Sequence, residues 1–328
     1  MRATGIASLV DAAGSDARYD SEAKKLLSHK AFVAWILKYA VEEFSHLDVG
    51  FIAENCISDV WISEKAVHQD HPDRKIGGDE TVTAMNSEST SVREGTVYYD
   101  LRFRARVPGE TEDIFLIVNL EIQNDESPGY PVVARGIYYA ARMISEQYGT
   151  VFTNMDYQKL QKVYSIWICP GKGRRRKGNI AHFRLKKEGD EGNSFKDGKN
   201  YDKMEVVVIK VGKDSSDPEN PLHGLLHTLF SPTMPLEKKK EILSERYSIA
   251  MTEELESEVR KMCNLSAAIR EDAERKGLRK GLREGRIEGI LSTLFDLVAD
   301  GLLTVETAAA KANMTEEEFL KKKEELGE

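Results

Sequence analysis

From Glu22 onward, apolar positions recur at helical spacing. Leu26, Leu27, Phe32, Val33, Ile36, Leu37, Ala40, Val41 and Phe44 predict one amphipathic or mostly buried helix, with Ser28 able to cap the start of its second half. Residues 47–62 predict a short helix with Cys56, Ile57, Val60 and Trp61 on its apolar side. The period then changes. Residues 93–125, REGTVYYDLRFRARVPGETEDIFLIVNLEIQND, predict two strands joined by a turn at Pro108-Gly109. The first strand is aromatic and β-branched (Val97, Tyr98, Tyr99, Leu101, Phe103). The second, over 114–120, is nearly continuous apolar sequence, as expected of a strand buried on both faces. A helix over 132–147, strands over 162–169 and 205–211, and a short strand containing Phe183 complete a mixed α/β core. In the helix over 132–147, Ala134, Ile137, Tyr138, Ala141, Met143 and Ile144 are the positions expected on the sheet.

Beyond the prolines at 218–235, which bracket the apolar helix LHGLLHTLF, the chain turns strongly helical. Thr252 is placed to cap a helix whose first turn carries Glu253 and Glu254. The segment RKGLRKGLREGRIEGI sets Gly277, Gly281, Gly285 and Gly289 four residues apart among arginines and lysines, which suits a helical linker or an oligomerising helix. Residues 291–328 predict a helix, a Gly-containing turn and two short helices, started by Thr304 and by the capping box of Thr315 with Glu318. The last helix carries Glu317, Glu318, Glu324 and Glu325, which suits packing or self-association better than a DNA groove.

Composition narrows the setting. A hydrophobic content of 41% is ample for a core, and three scattered cysteines argue against a disulfide framework or a sequential zinc knuckle, so the cytoplasm is the expected compartment. Asp11, Asp16 and Asp20 appear with no apolar run after a basic start, so no secretory leader is expected, and no window reaches a membrane span. A formal net charge of -8 counts against a global grip on nucleic acid but allows a local one.

The candidate chemistry gathers on the hairpin. Asp100 falls early on its first strand, and Glu121 and Gln123 share one face at the end of its second while Ile122 points the other way. Carboxylates at the end of a buried hairpin are costly unless satisfied, and a hydrated divalent cation is one suitable partner. Arg135 and Arg142, two turns apart, share a helix face that could hold a phosphate beside this site. Arg102 and Arg104 alternate on Asp100's face, with Lys159 and Lys162 as weaker cationic candidates. The glycine-bounded run Arg174, Arg175, Arg176, Lys177 can wrap a phosphate backbone without reading bases, or stand as a solvated loop. His68, Asp70, His71 and Asp73 are better read as a polar loop than as a metal cluster, and His223 with His227 lacks the glutamate of a zinc-protease helix.

The segments EGTVYYDLRF at 94–103, NLEIQND at 119–125, PGYPVVARGIYYAARMISEQ at 128–147 and KVYSIWIC at 162–169 together resemble the PD-(D/E)xK nuclease superfamily, and within it the Rpn-type recombination-promoting nucleases, also described as PD-(D/E)xK family transposases. The likeness extends upstream through LLSHKAFVAWILKYAVEEF and TAMNSES. It implies a restriction-endonuclease-like α/β core with a central mixed sheet flanked by helices, and an all-helical C-terminal tail. The expected organisation is a flexible 1–20, a nuclease-like domain over 21–235, a charged helical region over 236–290 and a small helical module over 291–328. It further implies a Mg2+- or Mn2+-dependent DNA endonuclease of low sequence specificity, with Asp100, Glu121 and the Ile122 carbonyl as metal ligands. Gln123 stands where the motif usually has lysine, Glu94 is a candidate further acid, and Glu42 or Glu43 are candidate accessory acids of the first helix. DNA is the expected partner, and the C-terminal helices are the candidate seat of a homo-oligomer. Two other classes stay open: a non-catalytic nucleic-acid or protein interaction module, and a glycosidase with its acids across a sugar-sized cleft.

Overall fold

The computed structural model describes residues 18–62, 88–91, 95–98, 100–109, 113–123, 128–170, 178–189, 200–212 and 220–326. It divides into two compact units, Met1–Ala267 and Ala268–Glu328. The first is built on a mixed sheet of six strands: β1 (Ile57–Ile62), β4 (Leu101–Val107), β5 (Ile114–Ile122), β6 (Lys162–Cys169), β7 (Asn179–Arg184) and β8 (Met204–Lys210). Their spatial order is β1-β4-β5-β6-β8-β7. β4 and β5 form the antiparallel hairpin, running from Leu101 opposite Leu120 to Val107 opposite Ile114. β6 lies parallel to β5 and β8 parallel to β6, while β1 and β7 close the two edges antiparallel.

Helices cover both faces, which explains the unbroken apolar runs. On one face Leu116, Val118, Leu120 and Ile122 of β5 pack with residues of the helix at 18–27 (α1), α2 (Lys30–Ala40) and α5 (Pro221–Phe230). On the other, Ile117, Val163, Trp167 and Val206 meet α4 (Val132–Ser145), the crossover helix between the parallel strands β5 and β6. Such a crossover is what a parallel pair requires.

Several local expectations are corrected. The helix expected from Glu22 to Phe44 is two helices, broken at Ser28 and His29. Ser28 does not cap the second: its hydroxyl donates back to the Lys25 carbonyl at 2.6 Å, and His29 is the N-cap, without a side-chain cap bond. Residues 47–62 are helical only through α3 (Val49–Phe51) and a π turn at Ile52–Cys56; the β-branched stretch that follows pairs with β4 as β1. The first strand of the hairpin is divided as well. β3 (Gly95–Tyr98) pairs with β2 (Glu88–Ser91) in a separate two-stranded sheet, so Asp100 sits at a bend before β4 rather than within a strand.

The packed face of α4 matches the expected one only at Met143 and Ile144. Gly136, Tyr139, Ala140, Arg142 and Met143 are buried, whereas Ala134, Ile137, Tyr138 and Ala141 are exposed. Gly136 is the reason. It lets the helix backbone approach the indole of Trp167, and a Cβ there would lie 2.6 Å from Val206 Cγ1 and 2.8 Å from Trp167 Nε1.

After α6 (Leu236–Glu245), α7 (Glu253–Ala299) starts at Thr252, whose hydroxyl accepts from the Leu255 N–H at 3.3 Å. It remains helical through all four glycines, where an added Cβ would meet open space, and i,i+4 pairs such as Asp272–Lys276 at 2.6 Å support it. The second unit has its own core of Leu291, Leu294, Phe295, Ala308, Ala309 and Phe319, formed by the end of α7 with α8 (Val305–Ala312) and α9 (Glu316–Leu326). The Thr315–Glu318 capping box forms in both directions, at 3.2 and 2.9 Å. No helix of the described residues is long and apolar enough to cross a membrane.

Substituting Gly136→Ala is expected to destabilise the first unit by about 1–3 kcal/mol through overpacking against Trp167 and Val206. Gly285→Ala, facing open space on α7, is expected to gain up to about 1 kcal/mol of helix stability. Denaturant titration of the two variants beside the parent, read by circular dichroism, checks both signs.

Candidate active site

The hairpin register brings two carboxylates together at one end of the sheet. β5 delivers Glu121 at its buried end, opposite the bend at Asp100. The Asp100 backbone N–H donates to Glu121 Oε1 at 3.0 Å, and the Ile122 N–H donates to Asp100 Oδ2 at 3.0 Å. Each acid is thereby held by the backbone beside the other. They do not stand across a sugar-sized cleft, so the glycosidase arrangement is not present. The third member comes from elsewhere: Lys24 of α1 places Nζ 2.7 Å from Asp100 Oδ1.

Charge is unevenly matched here. Burial first, and the Asp100 charge second, push the Glu121 carboxyl well above its ordinary value of 4.5, against the pull of the Asp100 N–H, Arg135 and Lys24. Burial works against the Lys24 charge too, but Asp100, with Glu121 and Asp20 behind it, holds that ammonium above its ordinary value. Among the described residues, the only hydrogen bond to the Glu121 carboxylate is the one at Oε1. A 4%-exposed carboxylate beside a second one has the hard oxygen donors that suit a divalent cation. No three His, Cys, Asp or Glu side chains converge as a metal cluster among the described residues.

A hydrogen-bonded chain borders the pair. Tyr130 donates its hydroxyl to Gln123 Oε1 at 3.0 Å, and Arg135 in turn donates to the Tyr130 hydroxyl. Arg135 also donates from its second terminal nitrogen to the Tyr139 hydroxyl at 2.6 Å. Its guanidinium lies 5.0 Å from the Tyr139 ring centre and 5.4 Å from that of Trp167. Gln123 is thus oriented through its carbonyl, and its amide NH2 is the opposite, donating end.

Other candidates fall away from this centre. Arg102 and Arg142 are each 5% exposed, and the Arg102 guanidinium meets Glu146 at 2.5 Å, so neither presents a surface to a phosphate. Lys159 pairs with Asp156 at 2.9 Å. Lys162 pairs across β5 with Leu116, five residues back from the Glu121–Trp167 pair, or about 16 Å along the strands. There it meets Glu43 at 3.0 Å, Asp202 at 2.9 Å and Glu205 at 3.6 Å. Glu205 also takes His182 at 2.7 Å and Arg184 at 3.0 Å, and Arg184 reaches Glu42 at 2.8 Å. Glu42 and Glu43 therefore belong to an ionic knot at the far end of the sheet and are not accessory acids of the pair. Glu94, the loop Arg174, Arg175, Arg176 and Lys177, and the His68–Asp73 segment lie outside the described residues. The contact of Lys24 with Asp100 was not legible, because nothing in its local sequence separates it from the neighbouring Lys25.

Because the folded Glu121 carboxyl keeps its proton to higher pH than the unfolded chain, the folded state binds more protons above about pH 4.5. Stability of the metal-free protein is therefore expected to fall as pH rises from that value through the folded one. Glu121→Gln should flatten this fall, which urea titrations in chelator between pH 5 and 8 will show.

The family model described as PD-(D/E)XK nuclease family transposase matches residues 107–279, a span that takes in Glu121, Gln123, α4 and strands β5 to β8. No curated protein and no solved structure matches the chain. The matched span begins at Val107, after Asp100, and takes in the β5 half of the hairpin; it exceeds half of the 328 residues, and on that ground the chain belongs to the PD-(D/E)XK nuclease family transposases.

Proposed function

We propose that this protein is a metal-dependent DNA endonuclease of low sequence specificity, serving recombination or a mobile element in the cytoplasm. The observation that carries the reading is the reciprocal bonding of Asp100 and Glu121, which fixes two hard oxygen donors side by side at a sheet end. Mg2+ or Mn2+ is the fitting cofactor, with Asp100, Glu121 and the Ile122 carbonyl as its protein ligands. When bound, such an ion supplies charge stabilisation at the phosphoryl group and a water of lowered pKa.

The chain's own residues divide the remaining work. Gln123 donates from its amide to water or phosphate, since an amide has no useful basicity. Arg135, held against three aromatic rings and bonded to the Tyr130 and Tyr139 hydroxyls, keeps Gln123 oriented through Tyr130. Hydrolysis joins a water oxygen to phosphorus, breaks one P–O ester bond and returns a proton to the departing oxygen. Glu94 is a candidate further acid, and Arg174, Arg175, Arg176 and Lys177 supply sequence-independent contact with the DNA backbone. The exposed Leu278 and Leu282 on the glycine-bearing stretch of α7 favour self-association there.

One observation favours a second reading, that of a non-catalytic interaction module: Lys24 pairs with Asp100 at 2.7 Å, so the chain offers that acid a counter-charge of its own. Cleavage of supercoiled plasmid and short single- and double-stranded DNA decides between them. Wild type is expected to cut with Mg2+ or Mn2+ and not with chelator, and Asp100→Ala and Glu121→Ala should each lose at least about a hundredfold in rate. Equal cutting by all three proteins would place the chemistry elsewhere.

A further inference from the structure

Phosphodiester hydrolysis in a site of two acids calls for a positive group besides the metal, to orient water or to meet charge on the phosphate. The motif position supplies none, because Gln123 is neutral. Arg135 is engaged by the Tyr130 and Tyr139 hydroxyls, and Arg102 by Glu146. Lys162 is at the other end of the sheet. Among the described residues Lys24 alone brings an ammonium to either carboxylate, reaching Asp100 Oδ1 at 2.7 Å from a different element of the fold.

The placement of this contact is informative. Asp100 Oδ2 is taken by the Ile122 N–H and Glu121 Oε1 by the Asp100 N–H. Lys24 occupies Asp100 Oδ1, an oxygen that a cation shared by the two acids would need. Its side chain is 21% exposed, so the ammonium has room to move while α1, which buries Ala23 and Leu26, holds its backbone in place. An ammonium has three donors, of which Asp100 uses one.

We infer that Lys24 is the working cation of this site: it neutralises Asp100 when no metal is present, yields that oxygen to the metal, and then presents its charge to the scissile phosphate in place of the lysine that Gln123 replaces. This rests on the endonuclease reading above. A purely structural ion pair would hold α1 to the hairpin and do nothing more. The two roles differ in what neutralising the lysine does to metal affinity and to cleavage rate.

The test compares full-length wild type with Lys24→Met, which keeps the length of the stem, and with Lys24→Arg, which keeps the charge. Mn2+ affinity is measured by calorimetry without DNA, and single-turnover cleavage of plasmid is measured at saturating Mn2+. Lys24→Met is expected to bind Mn2+ about five- to tenfold more tightly, having lost the competing ion pair. Its cleavage rate should fall by about a hundredfold or more, and Lys24→Arg should recover part of that loss. Unchanged or weaker Mn2+ binding by a folded Lys24→Met, or a wild-type rate at saturating Mn2+, would overturn the inference. Wild type that binds Mn2+ but cuts no DNA would refute the endonuclease reading, and the phosphate-facing role with it, whatever the two affinities show.

Discussion

Two buried acids at one end of a β-hairpin must be held against each other's charge, and the register of β4 against β5 does this. With Leu101 opposite Leu120, the bend at Asp100 falls beside Glu121, and each carboxylate finds a backbone N–H belonging to the other's strand end. A slip of one residue in this pairing would send Glu121 to the face where Leu120 and Ile122 pack among the helices. The hydrophobic core on that face therefore secures the polar geometry: exchanging Ile122 for Glu121 there would bury a charge among alkyl groups. The wide burial of β5 on both faces fixes the register so tightly that the site needs no further scaffold on the hairpin.

What could be read from the residues follows the reach of each signal. Strands β5, β6 and β8 were legible because burial on both faces demands unbroken β-branched and aliphatic runs, and the Thr252, Thr304 and Thr315 caps were legible because capping is local. β1 was not, since Cys56, Ile57, Val60 and Trp61 also satisfy helical spacing and only pairing with β4 decides the matter. The face of α4 was misjudged because apolar character pointed to Ile137 and Tyr138, whereas close approach to Trp167 depends on the absence of a side chain at Gly136. That Asp100 and Glu121 meet was legible from the hairpin that carries them, but Lys24 reaches Asp100 through a tertiary contact that leaves no mark in its own neighbourhood.

The same sheet carries a second buried glutamate, and the contrast between the two explains why only one end reads as a place for chemistry. Glu205 lies wholly buried, and burial alone would raise its carboxyl; His182, Arg184 and Lys162 outweigh that and hold it below its ordinary value. Its negative charge is matched within the protein, by groups that also tie β6, β7 and β8 to Glu42 and Glu43. Glu121 has the opposite balance. Among the described residues the strongest charge acting on it is that of another acid, Arg135 is shared with aromatic rings, and the one ammonium at hand bonds to Asp100 rather than to Glu121 itself. A sheet that neutralises one buried glutamate with three basic side chains has no general difficulty in placing cations. The shortage at Glu121 is local to the end where the acids are paired, and an unmet negative charge held in fixed geometry is the condition under which an external cation binds with gain.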